Sequence, residues 1–114
     1  MFCCSNITTN TGGIPVLRTS GVTVGTDSVD FALGFRRIPQ MGTILINIAA
    51  AIPADATGTL PVRFTLNGNT RNLTFFGGDN VTAADLTGTG VIEVFYDYFS
   101  GLLQLVSPLA PATA

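Results

Sequence analysis

The groups able to do chemistry in this chain are few, and their types narrow the options before any fold is considered. Seven acids stand against five basic residues. All five are arginine, and lysine, histidine and tryptophan do not occur. Without histidine a Ser–His or Cys–His pair has no base, and a histidine-ligated metal site has no ligand. Without lysine there is neither a Schiff base nor a P-loop lysine. What remains is carboxylate chemistry, two vicinal thiols and recognition by arginine.

The acids are poorly spaced for catalysis. Glu93 and Asp97 fall on one face of a strand, about 13 to 14 Å apart by the strand rise, too far for a glycosidase pair. Asp79, in the turn Gly77-Gly78-Asp79-Asn80, and Asp85 offer oxygen ligands to calcium. They lack the spacing of an EF-hand loop, and acids in turns more often satisfy their own backbone. The triplets at Asn6, Asn72 and Asn80 have the form of glycosylation acceptors, a short pattern that arises by chance in a chain rich in Thr and Asn. Arg36-Arg37 is the only cationic cluster, and with a net charge of -2 the chain cannot neutralise a run of phosphates. The pair is expected to flank a strand end, with each guanidinium meeting a carboxylate of this chain or of a neighbour. Cys3 and Cys4 are adjacent and staple no long loop; they read as free thiols or links between chains, with a strained bridge between the two neighbours and a lipidated cysteine as minor alternatives. No cofactor or metal is expected, and the residue inventory argues against an enzyme.

The elements that position these groups read as β throughout. Of the 114 residues 46% are hydrophobic and only 11% charged, under half the roughly 25% usual for soluble domains. Residues 1–13 and 108–114 lack apolar periodicity and read as an N-terminal arm and a C-terminal tail around a domain at 14–107. The longest apolar run, residues 44–52, is too short for a membrane helix, and no secretory leader is evident at Met1; synthesis in the cytoplasm is expected. Val29, Phe31, Leu33 and Phe35 alternate with Asp30, Ala32 and Gly34 as in a half-buried strand. Ile44, Ile46 and Ile48 alternate with Leu45, Asn47 and Ala49, apolar enough on both sides for a central strand. Val16 to Ser20 and Gly21 to Val24 read as two short strands. The stretch at 82–86 (TAADL) allows a single turn with a threonine N-cap.

Two hairpins follow from their turns. Around Asn67-Gly68-Asn69, a Gly68-Asn69 loop pairs Phe64 with Leu73 and Val62 with Phe75; an Asn67-Gly68 loop shifts the pairing by two and leaves every side chain on its face. A turn at Ser100-Gly101 pairs Tyr98 with Leu103 and Tyr96 with Leu105 on the core face. The opposite face carries Phe95, Phe99, Leu102 and Val106 and is too apolar for free solvent. With seven or eight strands and frequent turns, the expected architecture is a single antiparallel β-sandwich of jelly-roll or immunoglobulin-like topology with extended arms. Its neutral surface and strand edges are expected to be covered by copies of itself or by another protein, with Phe95, Phe99, Leu102, Val106, Arg36 and Arg37 as candidate interface residues.

The stretch VLRTSGVTVGTDSVDFALGFRRIPQMGTILINIAAAIPADATGTLPVRFTLNG (residues 16–68), with the continuation VIEVFYDYFSGLLQLV, resembles small virion proteins of crAss-like bacteriophages of gut Bacteroidales. The resemblance implies a non-enzymatic capsid auxiliary or decoration subunit, or part of a head fibre. Such a subunit is made in the host cytoplasm and resides in the virion, where it contacts copies of itself or the major capsid protein rather than nucleic acid or membrane. The competing reading is a carbohydrate- or receptor-binding sandwich on a fibre or cell surface. It is weakened by the lack of tryptophan and by the placement of both tyrosines, Tyr96 and Tyr98, on the core face.

Overall fold

The structure, a computed structural model, describes residues 14–34 and 37–107. They form seven strands, and no helix occurs among them: β1 (Val16–Val24), β2 (Val29–Leu33), β3 (Met41–Ile48), β4 (Val62–Leu66), β5 (Asn69–Asn72), β6 (Gly90–Asp97) and β7 (Leu102–Leu105). The all-β expectation is met. All seven strands belong to one sheet of order β5-β4-β2-β1-β3-β6-β7. The sheet is mixed: β1 runs parallel to β3 and β2 parallel to β4, while the other neighbours are antiparallel. This corrects the antiparallel expectation, and a two-sheet sandwich is not confirmed. The ends of the sheet approach each other instead. Thr74, just past β5, donates its N–H to the carbonyl of Leu103 at 2.9 Å and accepts from the N–H of Leu105 at 2.8 Å, so the sheet nearly closes into a barrel.

The two short strands expected at 16–24 are one strand with a break in register. Residues Val16 to Arg18 pair with β3, and the pairing with β2 shifts between Thr19 and Gly21. An irregularity of this kind bends a strand, and here it lets β1 serve both halves of the sheet. Thr19 is buried at the bend, where its hydroxyl accepts the Ala49 N–H at 2.9 Å, so the corner carries no unsatisfied hydroxyl.

The period-two readings hold for most of the described side chains; Leu33 is only half-buried at the end of its strand, and Phe35 lies outside the described residues. Val29 and Phe31 are buried in β2, as are Ile44, Ile46 and Ile48 in β3, which lies between β1 and β6. Phe31 stacks on Phe64 of β4, with ring centroids 5.1 Å apart and planes 14° from parallel. Leu73, Val81, Ala83 and Leu86 from the long connection after β5 join the same core. The residues at 82–86 make a turn in which the Asp85 carboxylate accepts both the N–H and the hydroxyl of Thr82. That capping exchange keeps one end of the connection folded over the core.

Both hairpins settle two residues from the first register considered. The β4–β5 loop is Asn67-Gly68, with Leu66 opposite Asn69 and Phe64 opposite Arg71. Positive φ at both loop residues, 48° and 90°, suits the twist of a two-residue hairpin. The β6–β7 loop spans four residues, 98–101, because Asp97 pairs with Leu102 and Tyr96 with Leu103. Shifts of two preserve the faces, so Tyr96, Leu103 and Leu105 are buried as expected. Tyr98 is the exception. It stands in the loop, 44% exposed and edge-on to Phe99, and does not join the core.

Candidate functional site

The convex side of β1, β3, β6 and β7 brings three of the six candidate interface residues together. Its rows follow from the ladder registers, since directly paired residues share a face. Met41, Asp97 and Leu102 form one row, and Thr43, Phe95 and Gln104 the next. Val16, Leu45 and Glu93 form a third, which Val106 extends through its N–H bond to the Glu93 carbonyl at 2.8 Å. Arg18, Asn47 and Val91 complete it. Val16, Met41, Val91 and Val106 are exposed here, with Phe95, Leu45 and Leu102 half-buried between them. An apolar surface four strands wide therefore faces outward, crossed by three charges: Arg18, Glu93 and Asp97.

The structure sorts the sequence-derived candidates. Phe95, Leu102 and Val106 lie on this one face. Phe99 does not: it sits in the β6–β7 loop, 72% exposed, beyond the last paired residue of β6. Strand alternation was extended two residues too far to place it on the face. Arg37 is exposed, and Arg36 lies outside the described residues, as do Cys3, Cys4 and Asn6. Asp97 and Glu93 share the outer face, but the Asp97 Oδ1 is occupied by the backbone N–H of Phe99 at 3.0 Å and of Ser100 at 3.4 Å, which ties the carboxylate to its own turn. Asp85 is likewise engaged with Thr82. Among the described residues no three His, Cys, Asp or Glu side chains group as a metal site would need. Asn72 and Asn80, both exposed, bond to each other at 3.2 Å.

Two arginines passed over in the sequence become prominent. Arg63 on β4 lies directly beside Asp30 on β2 in the parallel register, and the guanidinium grips the carboxylate through two bonds, Nε–Oδ1 at 2.7 Å and Nη2–Oδ2 at 2.9 Å. Ser28 donates a third bond to Oδ1 at 2.9 Å. The Arg63 bonds, opposed by partial desolvation and helped by Ser28, hold the Asp30 carboxyl below the usual aspartate range; the same pairing raises Arg63. The polar face of each strand was legible, but pairing residues 33 positions apart requires the strand order. Arg71 on β5 is different. Its Nε is shielded from solvent and has no hydrogen-bond partner. The run Asn69–Asn72 (NTRN) is polar throughout and has no alternation that would have drawn attention to it.

Comparison with protein families, with curated proteins and with solved structures finds no match.

Proposed function

We propose that the chain is a non-enzymatic structural subunit of a bacteriophage virion, a capsid auxiliary or decoration subunit or part of a head fibre. It assembles through its outer sheet face and its terminal arms, against copies of itself or the major capsid protein. The observation that carries the assembly part is the β1–β3–β6–β7 face. Val16, Met41, Val91 and Val106 stand open to water around half-buried Phe95, Leu45 and Leu102, in a chain with only 11% charged residues to keep copies apart. Contiguous apolar surface of this kind marks an interaction site more often than a solvated one. The virion setting is supported by the resemblance of residues 16–68 to small crAss-like phage virion proteins. The non-enzymatic part is supported by the lack of histidine and lysine and by the engagement of Asp85 and Asp97 with their own turns.

Sedimentation velocity on the full chain across a range of concentrations, with negative-stain imaging of the species formed, tests the reading. The expected result is reversible self-association that Val91→Asp and Val106→Asp each suppress. Both sites are exposed, so folding tolerates the change and loss of assembly is read cleanly. A sedimentation coefficient that stays monomeric at the highest concentration and is the same in both variants overturns assembly through this face.

A further inference from the structure

We infer that the seam between β5 and β7 holds a binding site for a carboxylate-bearing sugar of the uronic or sialic acid class, with Arg71 as its charge partner. The sheet closes only at Thr74 and Gln104; towards the two hairpin loops β5 and β7 form no ladder. The gap is an open hollow of about 470 Å³. Arg71 reaches across it to the other hairpin, where a Cβ on Gly101 would come within 3.5 Å of Nη1 and 3.9 Å of Nε. Gly101 has φ +75° and no side chain, so the guanidinium lies against bare backbone.

The electrostatics of this placement are incomplete. The ion pair among the described residues is Arg63–Asp30, and Arg71 has no acid partner. No acidic side chain lines the hollow. Nε is walled off from a ligand in the hollow as well as from water, so a carboxylate would be met by the two Nη amines of this partly buried side chain, for which no acceptor is found among the described residues. The planar fork and single charge match one carboxylate; a dianionic phosphoryl group would remain half-neutralised.

The rest of the lining is neutral and hydrogen-bonding. Ser100 contributes a hydroxyl, and that of Thr70 already pairs with the Thr65 hydroxyl at 3.0 Å. Asn72 spends its Nδ2 on Asn80 and keeps its carbonyl oxygen as an acceptor. Hydroxyls and an amide pair naturally with ligand hydroxyls, and half-buried Leu102 offers an apolar surface to the C–H face of a sugar ring. The volume lies within the range of small-molecule sites. Leu102 lines both this hollow and the outer face proposed for assembly, but Arg71, Ser100 and Asn72 lie off that face, so variants at these three test the hollow separately.

The test is an NMR titration of the full chain with glucuronate, N-acetylneuraminate, acetate and glucose, following backbone amides and the Arg71 Nε–H. One of the two sugar acids is expected to shift Ser100, Gly101 and Asn72 saturably, and glucose and acetate are expected to bind at least about tenfold more weakly. Arg71→Gln removes a group that makes no hydrogen bond or ion pair among the described residues, so the fold is retained; it should weaken binding by about tenfold or more, the loss of one charge-assisted contact. Ser100→Ala should weaken it a few-fold. Absence of a saturable shift at these residues with both acids overturns the site, as does equal binding by Arg71→Gln. Acetate binding as tightly as the sugar acids overturns the sugar class.

Discussion

Phe31 and Phe64 provide a direct test of the strand order, because only the parallel β2–β4 pairing sets them side by side. Both rings are fully buried. Their centroids are 5.1 Å apart with planes 14° from parallel, farther than the ~3.5 Å of carbon–carbon contact in a face-to-face sandwich, so the rings are offset, the favourable stacked geometry. Replacing either with leucine removes ring carbons from a filled core and is expected to cost about 1 to 2 kcal/mol. A small domain holds about 5 to 15 kcal/mol of stability, so both single variants and the double variant remain folded.

The informative quantity is their coupling. Offset aromatic pairs contribute about 0.5 to 1.5 kcal/mol beyond the area they bury. The double variant should therefore be less destabilised than the sum of the singles by that amount. Urea unfolding followed by tyrosine fluorescence gives each stability; with a slope of about 1.5 kcal/mol per molar, each single substitution moves the midpoint by about 1 M. A coupling within about 0.3 kcal/mol of zero is what independent sites show. That result, obtained with unchanged slopes, would refute the parallel register and the barrel-like closure that depends on it.

Other consequences are open to measurement. Because the Asp30 carboxyl is held below the usual aspartate range, the folded state binds this proton less readily than the unfolded chain. Its contribution is fully present above the unfolded value of about 4 and is lost as pH falls through the lower folded value. Carbon-detected NMR should place the Asp30 titration below the usual aspartate range, and Arg63→Gln should return it towards the ordinary value. The stability effect is small, since the two side chains are 36% and 38% exposed and screened by solvent. Gly68→Ala should lower stability by about 1 to 2 kcal/mol in chemical denaturation, because φ is +90° although an added methyl meets nothing within 4 Å. Gly21→Ala, equally free of neighbours and outside the left-handed region, should change stability by less than about 0.5 kcal/mol.

The parts of this fold that could be read from the chain are those that alternation encodes. Ile44, Ile46 and Ile48 needed no partner to reveal their buried face; the Tyr96 face survived an error of two in hairpin register, and the Phe64 face was the same in both registers its loop allowed, because side chains repeat every two residues. Strand partnership is another matter. Nothing in VDFAL says that it lies beside VRFTL rather than NTRN, and the Asp30–Arg63 pair and the Phe31–Phe64 stack were invisible for that reason. The length of the 49–61 connection, too long for a tight hairpin, was the available hint that β3 and β4 are not neighbours. Loop length also decided the fate of Tyr98 and Phe99. A four-residue loop ends the ladder at Asp97, so alternation no longer dictates where their rings point.

The dimensions of the outer face limit how tightly one copy can hold another. Four strands at about 4.8 Å spacing, with rows about 6.7 Å apart along them, give a footprint of roughly 300 to 500 Å². A stable interface of standard size takes about 800 Å² from each partner. This face alone is therefore at the weak end, and the glutamate in its middle must find a partner or stay hydrated at its rim. Arg18 is one row and two strands from Glu93, so a second copy turned by a two-fold axis can set Arg18 against Glu93 twice, once in each direction. Isolated protein is then expected to associate with a dissociation constant in the micromolar range or weaker. Firm assembly needs several such contacts at once, as for a subunit seated among many neighbours. Exchanging the charges tests the geometry: Arg18→Glu or Glu93→Arg alone should reduce association in sedimentation velocity, and the double exchange should restore it. Failure of the double variant to recover, with both singles weakened, would rule out the two-fold arrangement. Nanomolar association of the unaltered protein would show that a surface much larger than this face is in use.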